Sequence, residues 1–241
     1  MANFTFHLLD LYARDQLTEQ APEKDTGASE DSDDMPYKAS HNKELIIHLF
    51  GETVDGRTVR ANVIGFRPWF YLKLPTERTN EAIDTLKRYM ASSKIPVKNV
   101  VFKRCSHETF FGFTARTKFP FLYMDFPSLG MWREAKNLFL NDRSIPATKR
   151  PLGAPYRPGE APEVYEANID PMLRFLHVQN LQPCGWVTIE DGMEGVDDSD
   201  GILTVTCDYQ CIEPCAVAPR PVAPFNIASW DIECYSATGD F

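Results

Sequence analysis

The sequence predicts an α+β protein in which an antiparallel sheet carries helices on one face. Three observations predict this class: segments rich in β-branched and aromatic residues recur along the chain, amphipathic helical segments alternate with them, and an Asp55-Gly56 turn joins two of the strand segments. The chain has 241 residues, of which 43% are hydrophobic and 24% are charged. These values are typical of a globular protein with one or two domains.

The first strands are predicted from runs of aromatic and branched residues. These runs lie at residues 4–12, 44–50, 58–64 and 69–74. We assign residues 1–17 to the first strand, and the two runs that flank Asp55-Gly56 to an antiparallel hairpin, because this dipeptide favours a tight hairpin turn.

Two amphipathic helices follow, with further strands between them. The first spans residues 79–91, where Ile83, Leu86 and Met90 recur at helical spacing, and the second begins near Met131. Strand-like runs lie between the helices at residues 97–102, 110–113 and 119–124. The order strand, helix, three strands, helix is compatible with the split β-α-β layer of ferredoxin-like and RRM-type modules.

The second half of the chain combines a connector, a short helix and a hairpin. Five prolines in residues 141–163 predict an irregular connector. Asp170 can cap a helix that begins at Pro171, since an acidic side chain accepts the first free N–H groups and proline suits the first helical position. Residues 184–189 and 202–207 are predicted to form a further hairpin.

The charge of the chain is concentrated in two acidic segments. Lys and Arg number 25 against 34 Asp and Glu, a net charge of −9. Residues 19–34 and 190–200 each carry a net charge of −6, so the rest of the chain carries +3. Polar composition predicts a disordered insertion over residues 18–42 and a solvated loop over 190–200. The second segment lacks the ligand alternation of an EF-hand, which disfavours a calcium site.

Neither a secretion signal nor a membrane-spanning run is recognisable, so we expect an intracellular protein with its six cysteines reduced. Cys207, Cys211 and Cys215 recur every fourth residue and leave two interpretations open. They could bind a metal ion, or they could be buried free thiols. The spacing is unusual for zinc, which favours thiols.

Two carboxylates near the end of the chain carry the clearest chemistry. Residues 225–234 predict a buried strand that ends in Asp231-Ile232-Glu233. Side chains alternate along a strand, so Asp231 and Glu233 project from one face about 7 Å apart. Paired carboxylates favour hard cations such as Mg²⁺ or Mn²⁺, and two such ions can promote phosphodiester hydrolysis.

Residues 225–234 resemble the first exonuclease motif of family B DNA polymerases. Residues 165–176 and 184–187 resemble the segment that precedes this motif in delta-type enzymes and in those of large DNA viruses, and residues 65–71 and 110–114 are similar to the N-terminal domain of the same group. The resemblance extends over most of residues 43–241. It implies an N-terminal polymerase domain over 43–220 and the first strand of an RNase H-like 3′-5′ exonuclease domain over 221–241.

By this resemblance, Asp231 would bridge two Mg²⁺ or Mn²⁺ ions and Glu233 would bind the ion that activates water. The family's further exonuclease carboxylates and its polymerase palm would follow Phe241, so we expect the N-terminal part of a larger enzyme, inactive by itself. The resemblance also implies DNA primer-template and deoxynucleotide triphosphates as substrates, a possible sliding clamp as partner, no membrane, and a nuclear or viral replication compartment.

Basic and aromatic residues interleave in the middle of the chain. Lys103, Arg104, Arg116 and Lys118 alternate with Phe110, Phe111, Phe113 and Phe119, a mixture used to bind single-stranded nucleic acid. The other interpretation is that the phenylalanines lie in the core while the basic side chains face water. A non-catalytic nucleic-acid-binding module and a partner-docking domain are therefore the alternative functions.

Overall fold

A computed structural model describes residues 2–17, 42–109, 114–141, 162–195 and 201–216, together with residues 156, 219, 222, 223 and 229. The described chain is a mixed α and β structure in which strands predominate. Its strands are β1 Ala2–Leu17, β2 Lys43–Glu52, β3 Thr58–Ile64, β4 Trp69–Lys73, β5 Val101–Glu108, β6 Lys118–Asp125, β7 Val164–Tyr165, β8 Trp186–Glu194, β9 Leu203–Asp208 and β10 Ile212–Pro214. Its α-helices are α1 Thr79–Ser92, α2 Leu129–Asn141 and α3 Pro171–Val178. No α-helix in these ranges is long and apolar enough to cross a membrane.

The first sheet closes into a barrel because β1 pairs with both β2 and β8. The order around the barrel is β1-β2-β3-β9-β8. β9 and β10 pair with different parts of the same edge of β8: β9 with Met193 and Glu194, and β10 with residues 187–189. β3 and β9 are parallel, with Val59 opposite Leu203, and the other pairs are antiparallel. Closure satisfies the backbone groups that an open sheet would leave at its edges.

The barrel interior is filled by every second residue of its strands. On β2 these are Leu45, Ile47 and Leu49, which are at most 2% exposed. Phe175 and Leu176 of α3 pack into the same core. The intervening side chains point outward, so each strand presents one apolar and one outer face.

The second sheet has the strand order β5-β6-β4-β7 and is antiparallel throughout. Along the chain its elements follow the order β4-α1-β5-β6-α2-β7. Both helices pack on one face of this sheet. The buried side chains at that contact include Phe70, Leu72, Leu86, Met90, Leu122, Met124, Met131, Ala135 and Phe139.

Three polar side chains tie the helices to their surroundings. The Asp170 carboxylate accepts the Met172 N–H at 2.8 Å and so caps α3, as the sequence predicts. The carboxylate of Asp15, at the end of β1, accepts the Leu129 and Gly130 N–H groups at 2.7 and 2.8 Å and caps α2. The Arg174 guanidinium lies 4.4 Å from the Trp69 ring centroid and thus joins α3 to the second sheet.

The structure confirms the antiparallel hairpin of β2 and β3, the pairing of β8 with β9, and the three helices. It differs from the predicted elements in detail. β1 is longer than the apolar run that predicts it, residues 97–99 form a 3₁₀ turn ahead of β5, and the short strands β7 and β10 have no strong sequence pattern. The acidic insertion up to residue 41, the run at 110–113 and most of the connector at 141–163 lie outside the described residues.

Candidate nucleic-acid interface

The predicted metal-binding pair lies outside the part of the chain that the structure describes. Asp231 and Glu233 therefore remain sequence predictions, with no geometry attached to them. Among the described residues, no group of three or more His, Cys, Asp or Glu side chains is placed to hold a metal ion. Within the described residues, a surface that combines aromatic and basic side chains lies on the second sheet.

That surface, which we call the ring face, is the side of the second sheet opposite α1 and α2. Strand alternation and the register of β4, β5 and β6 place its residues side by side. Its members are Trp69, Tyr71 and Lys73 of β4, Lys103, Cys105 and His107 of β5, Phe119, Phe121 and Tyr123 of β6, and Tyr165 of β7.

The rings of this face contact one another edge to face. Tyr71 lies 5.6 Å from Tyr123 and 5.5 Å from His107, measured between ring centroids, at interplanar angles of 63° and 74°. Phe121 lies 5.2 Å from Tyr165 at 88°. Tilted and perpendicular arrangements of this kind are favourable for aromatic pairs and hold each ring in place. The result is a continuous layer of contacting rings with an exposed end at His107.

The phenols of the ring face stay neutral over the physiological pH range. Burial raises the pKa of Tyr71, and it raises the pKa of Tyr123 more strongly, with the Asp125 charge acting in the same direction. Burial and the hydrogen bond to Glu163 raise the pKa of Tyr165 to about 12. Neutral rings can stack on a base without repelling the phosphate beside it.

The four predicted basic residues do not lie on one surface. Lys103 projects from the ring face, whereas its neighbour Arg104 pairs with Leu122 and projects from the helix side of the sheet. Lys118, opposite Glu108, lies at the end of that same side, and Arg116 occupies the turn before β6 with a left-handed φ of 63°. Phe110, Phe111 and Phe113 lie outside the described residues. Phe119 belongs to the ring face, where the Lys73 ammonium lies 4.9 Å from its centroid.

Sequence reasoning missed Tyr71, Tyr123 and His107 as members of one surface. A signal was present, since Trp69 and Tyr71, and likewise Phe121 and Tyr123, are spaced two residues apart on predicted strands. What the local sequence lacks is the register that sets β4 and β5 on either side of β6. The ring face combines stacking surfaces with the Lys103 ammonium, and this is chemistry that suits a single strand of nucleic acid.

The cysteines that raised the question of a metal site are spread over three environments. Cys207 is 4% exposed within the barrel core, and burial raises its pKa to about 12. Cys211 ends a 3₁₀ turn, and Cys215 follows β10. All three are free thiols, and both Cys211 and Cys215 are half-buried.

Residues 162–241 match the family described as DNA polymerase family B, exonuclease domain. The matched range begins just before β7 and includes α3, β8, β9 and β10 as well as Asp231 and Glu233. It therefore joins the final strands of the barrel to the predicted carboxylate pair.

Curated relatives extend the similarity to most of the chain. A DNA polymerase of Pyramimonas orientalis virus is 31% identical over 219 residues, which are 86% of this chain and 17% of that protein. A DNA polymerase of Acanthamoeba polyphaga mimivirus is 26% identical over 218 residues, 83% of this chain and 12% of the relative. The DNA polymerase delta catalytic subunit of Mesocricetus auratus is 23% identical over 218 residues, 84% of this chain and 19% of the relative.

The chain thus spans between 12% and 19% of the length of these three relatives. Among solved structures, the family B DNA polymerase of the archaeon Pyrobaculum calidifontis aligns with a TM-score of 0.47 and 18% identity, over 83% of this chain and 19% of that one.

Proposed function

Because this chain belongs to the family B DNA polymerases, we propose that it acts within a template-dependent DNA polymerase that proofreads with a 3′-5′ exonuclease. The observation that carries the proposal is the exonuclease-domain match over residues 162–241, which includes the carboxylate pair of the predicted motif. The intact enzyme would extend a DNA primer on its template with deoxynucleotide triphosphates. A sliding clamp as partner, and a nuclear or viral replication compartment, are further parts of this proposal.

Asp231 and Glu233 are the proposed catalytic residues of the exonuclease. Two carboxylates spaced two residues apart on a strand suit Mg²⁺ or Mn²⁺, which prefer hard oxygen ligands. Bound there, such ions would supply an activated water and stabilise the leaving oxygen. We further propose that the strand carrying them opens an RNase H-like domain, and that β4, α1, β5, β6, α2 and β7 form a ferredoxin-like layer. The element order and the strand order of the second sheet support this layer.

The test of the exonuclease uses the intact polymerase. Asp231→Ala and Glu233→Gln should each lower excision of a mismatched primer end about a hundredfold or more, a loss equivalent to about 3 kcal/mol of transition-state stabilisation. Extension of a correctly paired primer serves as the control and should be unchanged. Excision at the original rate in both variants would refute the assignment.

We also propose that the ring face contacts the single-stranded template. The neutral phenols, the exposed His107 ring and the Lys103 ammonium support this part of the proposal. Lys103 and Arg104 offer a matched pair of substitutions, because they are neighbours of equal charge on opposite sides of β5.

Lys103→Glu should weaken binding of a labelled oligothymidylate about tenfold and reduce the salt slope by about 0.7 per lost phosphate contact, as followed by fluorescence anisotropy. Arg104→Glu changes the net charge by the same amount. The dissociation constant of this variant should nevertheless stay within about twofold of that of the parent chain. Equal losses in both variants would show that only overall charge matters and would exclude the ring face.

A further inference from the structure

The second sheet has one long edge that no described strand covers. β5 is the outermost strand on one side of this sheet, and its eight residues pair with β6 alone. The opposite edge is formed by β7, which has two residues. A long open edge is a place where an extended segment of another chain can add a strand, since its backbone groups have room for a partner.

Hydrogen bonds between β4 and β6 show which backbone groups of β5 point outward. The Leu74 N–H donates to the Pro120 carbonyl at 2.8 Å. The Phe126 N–H donates to the Pro68 carbonyl at 2.9 Å. Even-numbered residues of β6 therefore point their backbone groups toward β4, and the odd-numbered residues point theirs toward β5, because these directions alternate along an antiparallel strand.

The register carries this alternation over to β5. Odd-numbered residues of β6 pair with odd-numbered residues of β5, such as Phe121 with Cys105 and Tyr123 with Lys103. These pairs exchange the hydrogen bonds that join the two strands. The N–H and C=O groups that point to the open edge are consequently those of Phe102, Arg104, Ser106 and Glu108.

Charge is the one common protection against strand addition that this edge carries. Natural sheets also protect an edge with bulges and prolines. The β5-β6 register runs through eight consecutive pairs without a bulge, and β5 contains no proline. Charge of one sign excludes some partners and favours those of the opposite sign.

The charge at the centre of the edge is positive. Lys103 and Arg104 are exposed and project from opposite sides of the sheet. Neither side chain forms an ion pair with a carboxylate of the described residues. On the helix side, the Lys87 ammonium of α1 lies 4.8 Å from the Phe102 ring centroid and adds a third basic group. Pairing of β5 with a second copy of itself would bring like charges together, which disfavours a dimer through this edge.

We propose that β5 binds an extended acidic segment of a partner protein as an added strand. The outward backbone groups of β5 would continue the hydrogen-bonded ladder into that segment. Side chains alternate along a strand, so adjacent carboxylates of the segment would contact Lys103 on one side of the sheet and Arg104 on the other. Nucleic acid would satisfy these two charges, but it lacks the alternating amide groups that the ladder requires.

Amide hydrogen exchange of the full 241-residue chain tests the open edge directly. In the chain alone, the Arg104 and Ser106 amides should exchange fast, whereas those of Lys103 and Cys105 should be protected by β6. The probe is a synthetic peptide in which two adjacent glutamates lie between valine and threonine residues. At about ten times its dissociation constant, the peptide should slow exchange of the Arg104 and Ser106 amides about tenfold. Slow exchange of the Ser106 amide in the chain alone would show that the edge is already paired and would overturn the proposal.

A proline substitution separates backbone pairing from charge. Ser106→Pro removes an outward N–H and places a ring at the edge, so it should weaken binding of the fluorescein-labelled peptide about tenfold in fluorescence anisotropy. Ser106→Ala keeps the N–H and is the matched control, with affinity within about twofold of the parent. Arg104→Glu should also weaken peptide binding about tenfold, and the peptide with lysine in place of both glutamates should bind at least about tenfold more weakly to the parent.

Three results would overturn the proposal. The first is equal peptide affinity of Ser106→Pro and Ser106→Ala, when both retain the circular dichroism spectrum of the parent. The second is equal affinity of the parent for the glutamate and lysine peptides, since the edge would then not select an acidic segment. The third is a loss of oligothymidylate binding in Ser106→Pro as large as its loss of peptide binding, because this would identify nucleic acid as the occupant.

Discussion

Asp15 belongs to a barrel strand, yet its carboxylate serves a helix of the second sheet. It accepts the first two N–H groups of α2, which would otherwise lack partners at the helix start. The carboxylate charge also interacts favourably with the positive end of the helix dipole. One side chain thus couples β1 to α2, although 114 positions separate Asp15 from Leu129.

Asp15→Ala should lower the free energy of unfolding by about 1–2 kcal/mol, because both N–H groups lose their acceptor. Asp15→Asn keeps one acceptor oxygen and should lose less. Urea denaturation followed by circular dichroism measures the difference, and Asp84→Ala, on the exposed side of α1, is the control. Equal stability of Asp15→Ala and the parent chain would contradict the coupling.

His48 makes the stability of the barrel dependent on pH. The side chain is 7% exposed, and burial holds its pKa below the ordinary value of 6.5. Below about pH 6.5, His48 therefore binds a proton more readily in the unfolded chain than in the folded chain. The free energy of unfolding falls as the pH decreases, and it becomes constant below the pKa that His48 has in the folded chain.

We expect the Tm of the parent chain to decrease between about pH 7 and about pH 5, and His48→Gln to decrease less over the same interval. Differential scanning calorimetry of both proteins isolates the His48 contribution from that of the other histidines. Parallel curves for the two proteins would show that His48 does not contribute.

At the scale of elements, local sequence patterns predict some of the fold and miss its closure. The Asp55-Gly56 turn predicts the β2-β3 hairpin, and Asp170-Pro171 predicts the start of α3, because each signal acts within a few residues. The parallel pairing of β3 with β9 brings together Arg60 and Thr204, which are 144 positions apart. No local propensity specifies such a partner.

The candidate sites divide in the same way. Asp231 and Glu233 stay a prediction from a short motif, in which alternation along a strand would place both carboxylates on one face. The ring face depends on the register of three strands, which no local pattern specifies. Given the bounds of β5, side-chain alternation is enough to place Lys103 and Arg104 on opposite faces of the sheet.

Gly51 shows how closely the barrel strands approach. A Cβ at this position of β2 would lie 2.2 Å from the His7 carbonyl oxygen, which belongs to backbone and cannot rotate away. Gly51→Ala should therefore destabilise the chain by about 3 kcal/mol, at the upper end for overpacking.

The matched control is Gly195→Ala. The nearest atoms to a Cβ at this position are two side-chain carbons of Thr204, at 3.4 and 3.5 Å, and the Thr204 carbonyl oxygen at 3.5 Å, which are ordinary contact distances. Thermal unfolding should show a clear decrease in Tm for Gly51→Ala and little change for Gly195→Ala. Similar Tm values for the two variants would show that β1 and β2 can separate without cost.

At the scale of the whole molecule, Arg174 is a main contact between the barrel and the second sheet. It is 6% exposed, donates to the Glu166 carboxylate at 2.9 Å and to the Glu166 carbonyl at 3.0 Å, and covers the Trp69 ring. Burial of a charged group at such a junction requires each of these partners.

Arg174→Lys should lower the free energy of unfolding by about 1–3 kcal/mol, because lysine keeps the charge but loses the planar fork and its stacking on Trp69. Urea denaturation read by both tryptophan fluorescence and circular dichroism measures the effect. Arg88→Lys, on the exposed surface of α1, is the control, and an equal effect of the two substitutions would contradict the role of Arg174.

The chain order of the two sheets has a consequence for how the protein is made. β1, β2 and β3 leave the ribosome early, but β9, the parallel neighbour of β3, is translated about 140 positions later. At about 5–20 residues per second, that delay is roughly 7–30 s. During translation the nascent hairpin exposes an unpaired edge, while the intervening β-α layer has all its elements available and can fold first. Chaperone engagement during synthesis should therefore concentrate on the early strands.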